Sequence, residues 1–217
     1  MTFCNLCCLL LMFAVPDGLH TGDLVFVGDS GSSSFSSAIR DATSDGVHSF
    51  VHVGIVEVCD DGIYIIEAEP EHGVRRVALD EFAVGQNLCF MRLKMSFHAE
   101  DAVARAKSKI GEAYDWYYLP DNGMSYCSEL VYDCYLDGDG RHIFTASPMS
   151  FRNASGEIPE FWTELFASLG CPVPEGIDGT NPNSMAESGL LEVIKNQDSQ
   201  SARQKSRSAA SCSLSSF

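Results

Sequence analysis

Tyr126-Cys127-Ser128-Glu129-Leu130-Val131-Tyr132 is the stretch whose reading decides the fold. A loop rich in turn formers, Pro120-Asp121-Asn122-Gly123, comes just before it. Leu130, Val131, Cys134 and Tyr135 follow at helical spacing. Cys127 is therefore expected at or just before the first turn of a helix. Backbone N–H groups there point outward without partners, and the helix dipole favours a negative charge. A thiolate is such a charge, and it is the nucleophilic form of cysteine.

A magnitude shows what else the stretch requires. A free cysteine has a pKa of about 8.5, so bringing one near 6 takes roughly 3 kcal/mol of differential stabilisation. A helix terminus supplies about 0.3–1 kcal/mol, or ~2 when partly buried. The shortfall calls for a cationic partner, and a histidine is the best candidate. The competing reading is a buried structural cysteine, since free cysteines are among the most buried residues.

The 217 residues suit one domain with a full hydrophobic core. With 45% hydrophobic and 20% charged residues the chain reads as globular rather than disordered. A formal charge of −16 argues against nucleic acid or an anionic membrane surface as partner, because both need basic patches. Nine cysteines are an odd count for a disulfide framework. Cys4, Cys7 and Cys8 crowd the N-terminus, while Cys59, Cys89, Cys134 and Cys171 lie in or near apolar stretches and read as packed thiols. Cys4-x-x-Cys7 stands alone, so no zinc site is expected.

Residues 1–20 read as a leader. Phe3 to Val15 is apolar apart from Asn5, too short to span a bilayer but matched to the core of an export signal. It lacks a basic stretch before it and a small-x-small cleavage site after it, and a short buried helix is the alternative. Residues 21–195 read as the folded domain and 196–217 as a Ser-rich disordered tail.

Within the domain, Leu24-Val25-Phe26-Val27 is a short buried strand after the Thr21-Gly22-Asp23 turn. The Gly- and Ser-rich loop after it lacks the phosphate-loop pattern, and Ser36 to Thr43 is a short helix. Phe50 to Val58 is rich in β-branched residues and forms a strand. Asp60-Asp61-Gly62 turns it into a returning strand, Ile63 to Ala68. Gly73 to Val77 and Leu88 to Leu93 add further strands, giving an antiparallel sheet. Ala99 to Ile110 is a helix with Ala102, Val103, Ala106 and Ile110 on its apolar stripe and Gly111 at its C-terminal cap. Asp137-Gly138-Asp139-Gly140 lacks the order of a calcium loop and reads as a plain turn. Glu160 to Leu169 is a further amphipathic helix, and Pro172 to Pro182 a loop.

His52 sits inside an otherwise apolar strand, where an imidazole without a partner is costly to bury. Alternation places it on one face with Phe50, Gly54 and Val56, and Gly54 leaves room for a close approach. A core histidine bonded to backbone is the alternative. If the strands pair through the Asp61-Gly62 turn, Glu67 comes near His52 and can fix its tautomer. Glu69 has the same parity and is the rival; His48, His72 and His142 are weaker candidates for the base.

Gly22-Asp23-Leu24-Val25-Phe26, His52-Val53-Gly54-Ile55-Val56, Glu67-Ala68, Tyr114-Asp115 and Tyr126-Cys127-Ser128-Glu129-Leu130-Val131 come in that order. Together they resemble the permuted papain-like amidases, the YiiX/YaeF-like branch of the NlpC-type cysteine hydrolases. The resemblance runs from Thr21 to Val193 and takes in Pro174-Glu175-Gly176 and Gly179-Thr180-Asn181-Pro182. It implies Cys127 as nucleophile, His52 as base and Glu67 as the orienting residue. It also implies Tyr114 beside the oxyanion, with Tyr126 as the rival nearer in sequence.

The expected fold is one α+β domain, a permuted papain-like sheet or half-open barrel packed against the cysteine helix. The expected activity is thiol-dependent hydrolysis of an amide or peptide bond through an acyl-enzyme, with no cofactor and no metal. The wider group suggests a cell-wall peptide or another small amide as substrate. Acyl transfer or thioester and ester hydrolysis would use the same acyl-enzyme. A binding module that kept the groove but lost turnover is the alternative from another class.

Overall fold

The longer strands form where the β-branched and apolar runs lie, and the Asp60-Asp61-Gly62 turn joins two of them. In the computed structural model, residues 15–31, 33–43 and 49–195 are described. Most of the apolar leader, Cys4, Cys7, Cys8, His48 and the Ser-rich tail lie outside them. In chain order the elements are β1 (Leu24–Gly28), α1 (Ser34–Thr43), β2 (Phe50–Cys59), β3 (Gly62–Glu69), β4 (Gly73–Ala78), α2 (Leu79–Phe82) and β5 (Asn87–Leu93). They continue with α3 (Ala99–Ser108), α4 (Cys127–Cys134), β6 (Ser147–Pro148), α5 (Glu160–Leu169), β7 (Asp178–Gly179), α6 (Pro182–Glu187) and β8 (Leu191–Val193). Gly18–Ile194 makes up one compact unit.

Six strands form one sheet in the order β4-β3-β2-β1-β5-β8, and every neighbouring pair is antiparallel. The sheet divides two cores. On one face Phe26, Val53, Ile55 and Ile66 meet Leu130, Val131 and Tyr135 from α4 and its C-terminal end. On the other Val25, Val27, Val56, Ile65 and Phe90 are covered by Leu79 and Phe82 of α2. Alternation along β1 and β2 sorts these residues between the faces. The layers are tied by polar contacts as well. Tyr135 donates its hydroxyl to the Gly22 carbonyl at 2.9 Å, and Asp23 is buried against Arg92 at 2.7 Å.

Several details differ from the sequence reading. β1 and β2 shift register between Val27 and Gly28: Val27 faces His52, but Gly28 faces Phe50, leaving Val51 as an extra residue. Such a bulge breaks the period of two. Phe50 therefore does not share a face with Gly54 and Val56. It packs in the helix-side core, its ring 5.1 Å from that of Phe26. α3 ends at Ser108, and Ile110 is 44% exposed rather than on the apolar stripe. Lys109, not Gly111, caps it; Gly111 donates to the Val74 carbonyl at 2.9 Å and so joins the sheet. The Pro172 to Pro182 segment holds β7, and Pro182 opens α6. No helix among the described residues is long and apolar enough to cross a membrane.

Candidate active site

Cys127 is the first residue of α4, with Tyr126 in extended backbone as the cap. The first helical hydrogen bond runs from the Leu130 N–H to the Tyr126 carbonyl, 3.0 Å. The N–H groups at the head of the helix lie beyond the reach of any carbonyl one turn back. Glu129 reaches back to accept from the Tyr126 N–H at 3.3 Å, which fixes the entry into the helix. The loop before it is held by buried Asp115. Its carboxylate accepts from the N–H groups of Tyr117 (2.8 Å) and Leu119 (2.9 Å). Asp115 N–H donates in turn to the Ser125 carbonyl at 3.1 Å, so both ends of the loop meet just before the cysteine.

His52 stands on β2 beside the bulge at Val51. Its Nε2 lies 2.6 Å from Glu67 Oε2 on the neighbouring strand. The Cys127 thiol is near enough to act on the charge of the imidazole. Burial opposes a charge on the imidazole, but bonding to Cys127 and Glu67, together with their negative charge, outweighs it and pushes the pKa up to about 10. Glu67 is buried too, and burial favours its neutral form. The His52 bond and charge and the nearby Arg75 prevail, holding it below the usual carboxylate range. With Cys127 and Glu67 both acting on it, the imidazole keeps its proton at neutral pH.

Arg75, on β4, is the member that sequence reasoning missed. Its Nε and Nη2 both meet Glu67 Oε1, at 3.0 and 2.9 Å. The register sets this pairing, because Glu67 and Arg75 are directly opposed on β3 and β4. A charged residue inside an apolar strand run was the available signal. Glu69, the rival carboxylate, is bound to His72 at the rim and does not join His52. His142 stacks on Tyr132, with ring centroids 3.9 Å apart, and its Nδ1 lies 2.9 Å from the Tyr132 carbonyl oxygen.

A cleft of about 110 Å³ opens beside the thiol. Tyr114, Tyr118, Tyr126 and Trp162 form its aromatic wall. The Tyr114 hydroxyl lies 3.5 Å from that of Tyr118, deep in this wall. The Tyr126 hydroxyl accepts from the Thr180 N–H at 3.0 Å and pins the loop after β7 against the cysteine helix. Gly179 in that loop has no room for a side chain: a β-carbon would come within 2.4 Å of the Met149 sulfur and 2.7 Å of the Tyr126 hydroxyl. Tyr126 thus shapes the cleft, while Tyr114 faces it beside Cys127. His52 and Glu67 line a second, adjoining recess of about 340 Å³, which shares Ile39 and Val51 with the first.

Similarity to known proteins bears on this geometry. The sequence profile of the permuted papain-like amidase enzymes, YaeF/YiiX, C92 family, matches residues 18–195. A crystal structure described as metalloprotein yiiX from Escherichia coli O157:H7 has a similar fold, with a TM-score of 0.68 at 20% sequence identity. The alignment covers 82% of this chain and 97% of that one. No curated protein matches the chain. Among the described residues here, no group of three or more His, Cys, Asp or Glu side chains is placed to hold a metal ion.

Proposed function

The chain belongs to the permuted papain-like amidases of the C92 family, a family of cysteine hydrolases, and from that premise we propose that it cleaves an amide bond with Cys127, His52 and Glu67. The observation that supports this reading is the position of His52, bonded to Glu67 and near enough to the thiol at the head of α4 for Cys127 to raise its pKa. The raised imidazole pKa makes His52 a proton-bearing group beside the thiol, able to serve as the general acid, and in this reading the thiolate form of Cys127 is the nucleophile.

The thiolate sulfur adds to the amide carbonyl carbon, and the carbonyl electrons move onto oxygen. In this reading the Cys127 N–H at the helix head stabilises the oxyanion, with Tyr114 on the same cleft wall. The imidazolium of His52 gives its proton to the amide nitrogen, the carbon–nitrogen bond breaks and the amine leaves. Water then adds to the thioester while His52 takes its proton, and the acid departs with the thiol restored. Glu67 holds the imidazole in one orientation and supports its positive charge throughout, and Arg75 holds Glu67. Substrates are small amides, cell-wall peptides among them. Incubation with peptidoglycan fragments and a panel of acyl amides and esters, read by mass spectrometry, tests this. Products lost in Cys127→Ala support the amidase; acyl groups moved to an added alcohol or amine would instead show a transferase, and turnover by Cys127→Ala would end the reading.

A further inference from the structure

Two polar side chains in the cleft beside Cys127 lack a well-formed hydrogen bond to any described residue. Among the described residues, Ser128 Oγ and Thr180 Oγ1 are buried without a well-formed hydrogen bond, although the Thr180 side chain is near enough to act on the Tyr126 hydroxyl. Ser128 is 1% exposed and Thr180 6%. Both line the cleft. A buried hydroxyl without a partner costs roughly 1–3 kcal/mol, so two on one wall are unusual for a surface that only packs. They come from unconnected parts of the chain, the second residue of α4 and the loop between β7 and α6. Tyr126 joins the two parts, since it precedes Cys127 and its hydroxyl accepts from the Thr180 N–H. Neither hydroxyl can therefore move far from the thiol.

The rest of the described lining carries no formal charge. Ile39, Val51, Met149, Phe151, Trp162 and Pro182 are apolar, and among the described residues no Asp, Glu, Lys, Arg or His borders this cleft. The imidazole and the carboxylates lie in the adjoining recess. Chemistry assigns the two sides. His52 must protonate the leaving amine, so the amine departs on the imidazole side, and the acyl group bonded to sulfur extends into the uncharged cleft. The size is informative as well. A cavity of about 150 Å³ holds a benzene-sized ligand, and this one is about 110 Å³.

We propose that the cleft beside Cys127 is an acyl-specificity site for a short, uncharged acyl group, with Ser128 and Thr180 hydrogen bonding to a polar atom of that group. This deepens the hydrolase reading and rests on it. A charged acyl side chain would leave water for a site with nothing to pair it, and a plain alkyl chain would leave both hydroxyls unpaired. An acyl group with an amide or hydroxyl next to its scissile carbonyl satisfies both.

The test reads covalent capture rather than turnover. Chloromethyl ketones alkylate a thiolate directly: the sulfur–carbon bond forms as chloride leaves. N-acetyl-alanine, N-acetyl-glutamate and N-acetyl-lysine chloromethyl ketones and an alkyl chloromethyl ketone of the alanine compound's length are compared on the full chain by intact mass and peptide mapping. The alanine compound should label Cys127 at least about tenfold faster than each of the other three. In Ser128→Ala and in Thr180→Val, the ratio of the alanine to the alkyl rate should fall by about tenfold. That ratio cancels any loss of folded protein. A ratio unchanged in both variants, or a charged compound that labels fastest, overturns the inference while leaving Cys127 as the nucleophile. Folded protein in which no compound labels Cys127 would overturn the hydrolase reading and this inference with it.

Discussion

At the scale of single residues, the assignment turns on which carboxylate His52 meets. Glu67 lies 2.6 Å from the imidazole, whereas Glu69 is bound to His72. Glu67→Gln should lower kcat/KM by on the order of 10²-fold while Cys127 still takes up iodoacetamide, and Glu69→Gln should change it little. Damage from Glu69→Gln alone would reverse the assignment. The pH profile follows from the same contacts. Folding raises the His52 pKa above 6.5, toward about 10, so the proton needed by the leaving amine persists well into alkaline solution. The alkaline limb of kcat/KM should lie above pH 6.5 and move down in Glu67→Gln, because one of the two groups that raise the pKa is gone. A limb that stays put would show that Glu67 has no electrostatic part. In His52→Ala the iodoacetamide rate should need higher pH to rise, since a helix terminus alone supplies at most ~2 kcal/mol. Superimposable profiles for variant and wild type would make His52 a core histidine. As candidates these residues were legible because each breaks its local pattern: His52 and Glu67 interrupt apolar strands, and Cys127 sits where a turn meets a helix. Ser128 and Thr180 were not, since an unpartnered hydroxyl is a property of packing and leaves no trace in sequence.

At the scale of elements, α4 carries a second buried acid that takes no part in the chemistry. Glu129 is 7% exposed, and burial followed by the charges of Asp115 and Asp133 pushes its pKa up to about 8. In the unfolded chain the same group titrates near 4.5. The folded state thus holds a proton that the unfolded state gives up, and stability falls as pH rises from about 4.5 through about 8. Glu129→Gln keeps an oxygen for the Tyr126 N–H and removes the titration. It should gain roughly 3–5 kcal/mol over wild type at pH 9 and little at pH 4, read by urea unfolding. Equal gains at both pH values would mean that the carboxyl does not titrate in this range. The strand and helix runs were readable from period and composition, but the bulge at Val51 was not. Phe50 to Val58 is an unbroken run of strand formers, and only the partner strand reveals the extra residue. Asn183 supports that irregular end, its amide accepting from the Phe50 N–H at 2.8 Å and donating to the Phe50 carbonyl at 3.0 Å. Elements of two or three residues such as β6, β7 and β8 are too short to show a period at all.

At the scale of the whole molecule, the proposed site is shared between two layers. The sheet supplies His52, Glu67 and Arg75, and the helical layer supplies Cys127 with its loop. Their relative placement must hold within a hydrogen bond's tolerance, and Gly73 is one place where it is set. It opens β4, two residues before Arg75, with a left-handed φ of +68°. The next residue, Val74, donates to the Glu112 carbonyl at 2.9 Å, at the start of the segment that leads to Cys127. A β-carbon on Gly73 would come within 2.1 Å of that carbonyl oxygen, and a backbone atom so placed cannot swing aside. Gly85 provides the control: its φ is +72°, but nothing lies within 4 Å of where its β-carbon would be. Both alanine variants incur the strain of a left-handed residue, about 1 kcal/mol. Only Gly73→Ala must also push the two layers apart, which should bring its loss to roughly 3 kcal/mol or more by urea unfolding. If enough of it folds to assay, its iodoacetamide rate at neutral pH should drop as well, because separating the layers parts His52 from Cys127. Equal stability losses in the two variants would mean that the seam at Glu112 yields freely, and that some other contact sets the distance between imidazole and thiol.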